Sequence, residues 1–342
     1  LEGGMDLFDL KAYDYSLPPE LVAQTPLPQR DASRLMVVDR ASRSISHRAF
    51  ADLPEVLRDG DLLVLNDSRV IPARLRARRI SGGAVEVLLV EEVGPGLWSA
   101  MVRPGRRARK GERLYLDEVE IEVQEVLPDG LRVVRFPRED VLSLLEERGE
   151  VPLPPYIKDY GGPPDRYQTV YGRALGSVAA PTAGLHFTEE LLDKLKARGV
   201  LVRCVTLHVG PGTFRPVESP DIRVHRMHRE RFFVPGETAS AIEGVKAKGG
   251  RVVAVGTTVV RVLEHCGLFG FEERWRETDL FIYPGFEFKV VDAMITNFHM
   301  PRSTLLMLVC AFGGYELVMR AYAEAISCRY RFLSFGDAMI LV

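Results

Sequence analysis

The sequence predicts an α/β core domain carrying an inserted antiparallel β-barrel domain, and three observations lead there. A continuously apolar strand, Asp61–Asn66 (DLLVLN), of the kind buried on both faces, closes an α/β N-terminal stretch. Short strands parted by glycine, proline and aspartate turns then fill residues 74–136. Strand–helix alternation resumes after Ser177. The implied division is 5–71 plus 153–342 for a discontinuous core and 72–152 for the barrel.

The elements follow in order. Leu1–Gly4 reads as a leader or cloning remnant ahead of a natural start at Met5. Pro18 and Pro19 open a short helix over Leu17–Ala23, and Arg34–Asp39 with Ser44–Phe50 forms a hairpin around Arg40–Arg43. A helix near Leu53–Leu57 precedes the apolar strand. Strands are expected at Arg74–Ile80, Ala84–Glu92, Trp98–Arg103, Arg113–Leu116, Val119–Val126 and Arg132–Phe136, the fifth alternating with period two. A helix over Glu139–Arg148 ends at Gly149, and a proline-rich segment returns the chain to the core. Thr188 caps a helix running to Arg198, with Glu189 and Glu190 complementing its dipole and Gly199 ending it. Val200–His208 reads as a strand, Ile222–Val234 as an extended element, Thr238–Lys248 as a helix and Arg251–Val255 as a strand. A helix over Val259–Glu264, extended segments at Asp279–Tyr283 and Lys289–Ile295, and a helix around Ser303–Phe312 complete the expectation.

Composition narrows the class. With 342 residues, 46% hydrophobic and 27% charged, the chain is an ordinary globular protein of roughly two domains. Its longest apolar run, Leu305–Phe312, is far shorter than the ~20 residues a membrane span needs, so a cytoplasmic protein without a membrane partner is expected. Cys204, Cys266, Cys310 and Cys328 are scattered without a C-x-x-C, which favours reduced thiols over a zinc or redox motif. The net charge of −2 hides a basic stretch. Arg69, Arg74, Arg76, Arg78 and Arg79 are followed by Arg103, Arg106, Arg107, Arg109, Lys110 and Arg113, a local field suited to a polyanion.

Two loops concentrate reactive residues: Gly176–Thr188 (GSVAAPTAGLHFT) and Val205–Phe214 (VTLHVGPGTF). Gly184, Gly210 and Gly212 permit tight turns and close ligand approach. His186 and His208 are suited to proton transfer near neutral pH. The strand ending in Gly256-Thr257-Thr258 opens a helix whose free N–H groups suit a carboxylate or phosphate. In an extended Ile222–Glu230, His228 and Glu230 share a face and His225 points away, a poor arrangement for a metal and a reasonable one for an acid–base pair. Asn297 and His299 precede a helix, behind Lys289 and Asp292. Phosphate-loop, H-E-x-x-H and G-x-S-x-G motifs are absent, and Gly210-Pro211-Gly212 lacks the third glycine and the helix of a dinucleotide fingerprint.

These segments, together with LPPELVAQTPLPQRDASRLMV, GDLLVLNDSRVIPARL, TDLFIYPGFEFKVVDAMITNFHMPRSTLLMLV and YRFLSFGDAMI, resemble the S-adenosylmethionine:tRNA ribosyltransferase-isomerases of queuosine biosynthesis over nearly the whole chain from Met5. Ser68 and Val259 depart from the pattern, where threonine and serine are expected. The resemblance implies transfer and isomerisation of the ribosyl part of S-adenosylmethionine onto the aminomethyl-deazaguanine wobble base of a tRNA with a GUN anticodon. Epoxyqueuosine forms and adenine and methionine are released. It also implies an α/β core with a barrel insertion and no metal or bound cofactor, S-adenosylmethionine being consumed; a monomer is expected.

That chemistry needs two or three proton-transfer groups. His186 and His208 are placed first as base and acid, then Glu230 and His228, with Asp67, Asp279 and His299 in reserve. Substrate binding is assigned to Thr182, Gly184, Gly210, Gly212, Thr213, Gly256, Thr257, Thr258, Arg261, Asn297 and His299. Within that set the Gly256–Thr258 amides and Arg261 meet the methionine carboxylate. Contact with tRNA phosphates is assigned to Arg69, Arg74, Arg103, Arg106, Arg107, Arg109 and Lys110. A tRNA methyltransferase using the same donor, and a non-catalytic RNA-binding module, are the rival readings.

Overall fold

A computed structural model describes residues 5–128, 130–158, 160–210 and 217–342. From the N terminus come strands β1 (Arg34–Asp39) and β2 (Ser44–Ala49), the short helix α1 (Leu53–Val56), then β3 (Leu62–Asn66) and β4 (Ser68–Val70). Six strands follow: β5 (Arg74–Arg79), β6 (Ala84–Gly94), β7 (Leu97–Arg103), β8 (Arg113–Leu116), β9 (Val119–Val126) and β10 (Arg132–Arg135). After α2 (Val141–Arg148) come β11 (Ala174–Ser177), α3 (Glu189–Ala197), β12 (Leu201–Leu207), β13 (Glu230–Phe233), α4 (Gly236–Ala247), β14 (Val252–Val255) and α5 (Thr257–Phe269). The chain ends with β15 (Arg276–Thr278), β16 (Ala293–Asn297), α6 (Thr304–Gly313), α7 (Tyr315–Ser327) and β17 (Ala338–Leu341).

The chain divides into two compact units, Leu1–Ser68 with Pro155–Ala174 and Pro181–Val342, and Arg69–Pro154 with Leu175–Ala180. The short piece 175–180, expected in the core, belongs to the smaller unit.

The larger unit is built on a nine-stranded sheet in the order β15-β13-β12-β3-β14-β16-β17-β1-β2. All five residues of β3 are buried, as its unbroken apolar run requires, and it lies parallel to both β12 and β14. Since β14 is also parallel to β16, four neighbouring strands present their C-terminal ends along one edge. In open α/β sheets that edge is where ligands bind. Asp61, 2% exposed, anchors the other end of β3 by a fork of bonds with Arg251, 3.0 Å to Nε and 2.6 Å to Nη2.

Several local expectations need correction. Residues 222–234 do not form one extended element: Asp221 accepts from the Arg223 N–H at 2.9 Å and caps a 3-10 turn at Ile222–Val224, and only Glu230–Phe233 is strand. The expected segment at Asp279–Tyr283 is replaced by β15, ending at Thr278, and β16 starts four residues after Lys289, at Ala293. The Leu17–Ala23 helix is a single 3-10 turn, Pro19–Leu21. Helix α5 begins at Thr257 and runs to Phe269, beyond the expected Val259–Glu264.

The smaller unit is a closed antiparallel barrel in the order β10-β7-β6-β5-β8-β9, with β10 paired to both β7 and β9. Period-two alternation in β5 (RLRARR) buries Leu75 and Ala77 and turns Arg76 and Arg78 outward. The interior joins Val87, Leu89, Trp98, Ala100, Leu114, Ile121 and Val123 to Leu144 and Leu145 of α2. Helix α2 stops at Gly149, where an added Cβ would lie 1.9 Å from the Pro72 carbonyl oxygen. Gly149→Ala should therefore destabilise by about 1–3 kcal/mol through overpacking. In Gly244→Ala, on an exposed stretch of α4 with nothing within 4 Å, better helix propensity should instead stabilise by about 0.5–1 kcal/mol. Thermal unfolding of the two variants measures both signs.

Candidate active site

The four parallel strand ends carry the polar residues of the site. At the end of β3, the Asn66 amide accepts from the Leu207 N–H at 3.0 Å and donates to the Leu207 carbonyl at 3.1 Å, binding β3 to the end of β12. Half-buried Asp67 follows, its Oδ1 accepting from the Thr206 hydroxyl at 2.6 Å. Burial raises the Asp67 carboxyl above its ordinary value, against the lowering effect of the Thr206 hydrogen bond and of Arg173.

At the end of β14, Gly256 has φ +91°, a conformation that favours glycine, and its N–H donates to the Ile295 carbonyl at 2.7 Å. The chain turns there into α5, with Thr257 and Thr258 buried in its first turn. The Thr258 Oγ1 is buried without a partner among the described residues.

Beside it, Asn297 ends β16 and holds three groups: its Oδ1 accepts from the Thr182 hydroxyl at 2.9 Å, and its Nδ2 donates to the Leu333 carbonyl and to His186 Nε2, each at 3.2 Å. With Nε2 accepting, the imidazole proton is assigned to Nδ1, which donates to Ser33 Oγ at 2.7 Å. The ring stacks on Phe50 at 4.9 Å. Burial, with the positive charges of Arg331 and Arg30, lowers the His186 pKa to about 3. His186 is 4% exposed and contributes to the wall of a narrow cleft with Arg30, Arg166, Arg331 and Ser334.

His208 stands just beyond β12. It stacks on Trp275 at 5.2 Å and 19°, and its Nδ1 is buried without a partner among the described residues. Burial, then Arg231, lowers its pKa to about 4. The structure does not bring His186 and His208 together: in sheet order β3 and β14 separate the β12 and β16 ends, three spacings or roughly 14 Å.

Other assigned residues are differently engaged. Glu230 and Arg261, 5% and 4% exposed, form a buried ion pair. Glu230 also accepts from the Gly210 N–H at 3.1 Å, and Arg261 donates to the Leu280 carbonyl at 3.0 Å. Arg261 thus braces the segment after β15 and is not a free cation for a ligand carboxylate. His228 is exposed in irregular chain and shares no strand face with the buried Glu230. Asp279 pairs at the surface with Arg229 at 3.8 Å. The His299 Nε2 meets the Thr296 hydroxyl at 2.7 Å, the His299 backbone N–H donates to the Tyr322 hydroxyl, and burial lowers the His299 pKa to about 3. Gly184 is needed for packing, since a Cβ there would stand 2.0 Å from the buried Tyr171 hydroxyl. Gly212 and Thr213 lie outside the described residues. Among the described residues no group of three or more His, Cys, Asp or Glu is placed to hold a metal ion.

In the barrel unit, Arg69, Arg103, Arg106, Arg107, Arg109 and Lys110 are exposed. Among the described residues no ion pair engages them, whereas Arg74 pairs with Glu86 at 3.7 Å and Arg76 with Glu150 at 2.7 Å. Arg132 steadies the Gly105–Arg107 turn by donating to the Gly105 carbonyl at 2.7 Å.

A sequence model of the family described as queuosine biosynthesis protein matches residues 10–341. The chain belongs to the queuosine biosynthesis protein family. Proteins named S-adenosylmethionine:tRNA ribosyltransferase-isomerase match end to end: that of Symbiobacterium thermophilum is 55% identical over 97% of this chain and 99% of its own. The Thermotoga maritima protein is 53% identical over 96% and 98%. The crystal structure of S-adenosylmethionine tRNA ribosyltransferase from Thermotoga maritima matches with a TM-score of 0.57 at 45% identity, covering 97% of this chain and 100% of that one. The family fold therefore agrees with the core-plus-barrel expectation.

Sequence reasoning passed over Ser33, Arg30, Arg166 and Arg331, which surround His186. The available signal was arginine within otherwise aromatic or proline-rich segments, YRFLSF and TPLPQR. The low pKa values of His186, His208 and His299, about 3, 4 and 3 against an ordinary 6.5, carry a stability prediction. Below pH 6.5 the unfolded chain takes up protons that the native imidazoles refuse, so stability is full above that pH and falls as pH drops toward 4. Each histidine contributes a slope of at most about 1.4 kcal/mol per pH unit. Urea titrations between these limits should show His299→Gln flattening the fall by up to that amount.

Proposed function

We propose that this chain transfers and isomerises the ribosyl group of S-adenosylmethionine onto the aminomethyl-deazaguanine wobble base of a tRNA with a GUN anticodon. The observation that carries the reading is end-to-end similarity above 50% to relatives named for that activity. In this reading the chain works as a monomer in the cytoplasm, without metal or bound cofactor. The exposed arginines of the barrel unit contact tRNA phosphates.

The strand-end edge suits the proton traffic such a reaction needs. The sulfonium acidifies the adjacent 5′ carbon, and a base must remove a proton there. With pKa values of about 3 and 4, His186 and His208 are both neutral at pH 7 and able to accept, and neither stores a proton to donate. His208 has the freer nitrogen, its Nδ1, and is assigned as the acceptor. His186 accepts from Asn297, which in turn holds the Thr182 hydroxyl, and so acts as a positioning residue. Departure of adenine calls for a donor, and Asp67, whose carboxyl is raised above its ordinary value by burial, is assigned that role. The first-turn amides of α5 at Thr257 and Thr258 suit the methionine carboxylate without help from Arg261.

Incubation with ribose-labelled S-adenosylmethionine and tRNA bearing the aminomethyl precursor should move label into RNA, with one free adenine per turnover. Release of S-adenosylhomocysteine without ribosyl transfer would instead establish the methyltransferase. His208→Ala should lower kcat by about 10²–10⁴-fold. A near-normal kcat would remove His208 from the chemistry.

A further inference from the structure

The cleft beside His186 has a charge pattern that the reaction's proton transfers do not use. Arg30, Arg166 and Arg331 line it together with Ser33 and Ser334. Each guanidinium is held by backbone carbonyls. Arg30 donates to Leu185 at 3.1 Å and Asp165 at 3.2 Å, Arg166 to Leu27 at 2.7 Å and Pro28 at 3.1 Å, and Arg331 to Thr25. Neutral carbonyls fix the direction of a cation and leave its charge in place. Two donors remain: Arg166 Nε and Arg331 Nη1 are buried with no acceptor among the described residues.

The carboxylates nearby do not neutralise the cluster. Asp165 attracts Arg30 from an exposed position. Asp337 attracts Arg331, yet its oxygens already serve the Arg34 guanidinium and the N–H groups of Arg34 and Arg331. Burial and the like charge of Arg166 both disfavour the charged form of Arg30. Three half-buried guanidinium groups, two of them with an unspent donor, form a receptor for an oxyanion.

Which oxyanion fits is decided by charge. The methionine end of S-adenosylmethionine carries an ammonium and a sulfonium beside its carboxylate, and the cluster would repel that net cation. A phosphodiester brings negative charge and acceptor oxygens with no cation attached. The geometry points to this cleft in the larger unit as the seat of a backbone phosphate of the tRNA substrate, a subsite that rests on the proposed function above.

The test measures binding of an anticodon stem–loop RNA at several salt concentrations, and of S-adenosylmethionine separately, for wild type, Arg166→Gln and Arg331→Gln. Each Gln variant should weaken RNA binding about tenfold, as expected for a lost charge-assisted hydrogen bond. Each should also reduce the salt slope by about 0.7, leaving affinity for S-adenosylmethionine within twofold. Unchanged RNA affinity and slope in both variants overturns the proposal. So does a tenfold loss of S-adenosylmethionine affinity with RNA binding intact, which would assign the cleft to the methionine carboxylate. If the Gln variants do not fold, inorganic phosphate decides: at ionic strength matched with chloride it should raise the unfolding midpoint of wild type and raise it less in Arg166→Lys, and equal shifts overturn the proposal. A wild type that binds RNA in this way yet transfers no ribosyl label refutes the activity and leaves the cleft standing.

Discussion

The Asn297 amide is the interaction on which the site depends. Standing at the C-terminal end of a fully buried strand, it joins Thr182, His186 and Leu333, segments more than a hundred residues and about 36 residues away in the chain. The set of partners explains why an amide is required. Thr182 needs an acceptor, while the Leu333 carbonyl and an unprotonated His186 nitrogen need donors. An aspartate could satisfy only the first, and an apolar residue none, leaving three polar groups unpaired in the interior at about 1–3 kcal/mol each. Its second consequence is chemical. By donating to Nε2 it assigns the His186 proton to Nδ1, and so sets Ser33 as the acceptor at the cleft wall.

The same polar economy separates two kinds of arginine. Arg261 and Arg251 are tied to buried carboxylates and serve as struts, binding the β15 segment and the N-terminal end of β3. Arg30, Arg166 and Arg331 are tied to carbonyls and keep their charge available. On the barrel, alternation of β5 turns arginines outward, and Arg103 at the end of β7 is followed by exposed Arg106, Arg107, Arg109 and Lys110. The acceptor that holds the guanidinium, carboxylate or carbonyl, separates the struts from the cleft arginines more than exposure does.

Much of the fold was legible because it rests on local periodicity. The barrel strands alternate with period two, β3 is apolar up to its terminal Asn66, and Thr188 caps α3 by accepting from the Leu191 N–H at 3.0 Å. Helix α7 and strand β17 were not foreseen, although both are largely set by burial against the rest of the core. In the site, Asn297 and His186 were legible as polar residues in glycine-rich or strand-end contexts. The Glu230–Arg261 pair was not, since the two lie on different elements and neither sequence neighbourhood announces the other. The packing demand on Gly184 was hidden for the same reason: the close approach it permits is to Tyr171, thirteen positions earlier.

The separation of the two histidines constrains the chemistry more than their identity does. A base and an acid that share one proton must lie within hydrogen-bond reach of a common group. His186 and His208 border strand ends three spacings apart, roughly 14 Å, with the Asp67 and Gly256 ends between them. They cannot trade a proton directly. A ligand laid along this edge would meet His208 and Asp67 near the paired β12 and β3 ends, the α5 amides at the β14 end, and His186 only at its far end. That order places His208, whose Nδ1 lacks a partner among the described residues, and the raised Asp67 carboxyl at the ends of neighbouring strands, and leaves the His186 end to the cleft of arginines.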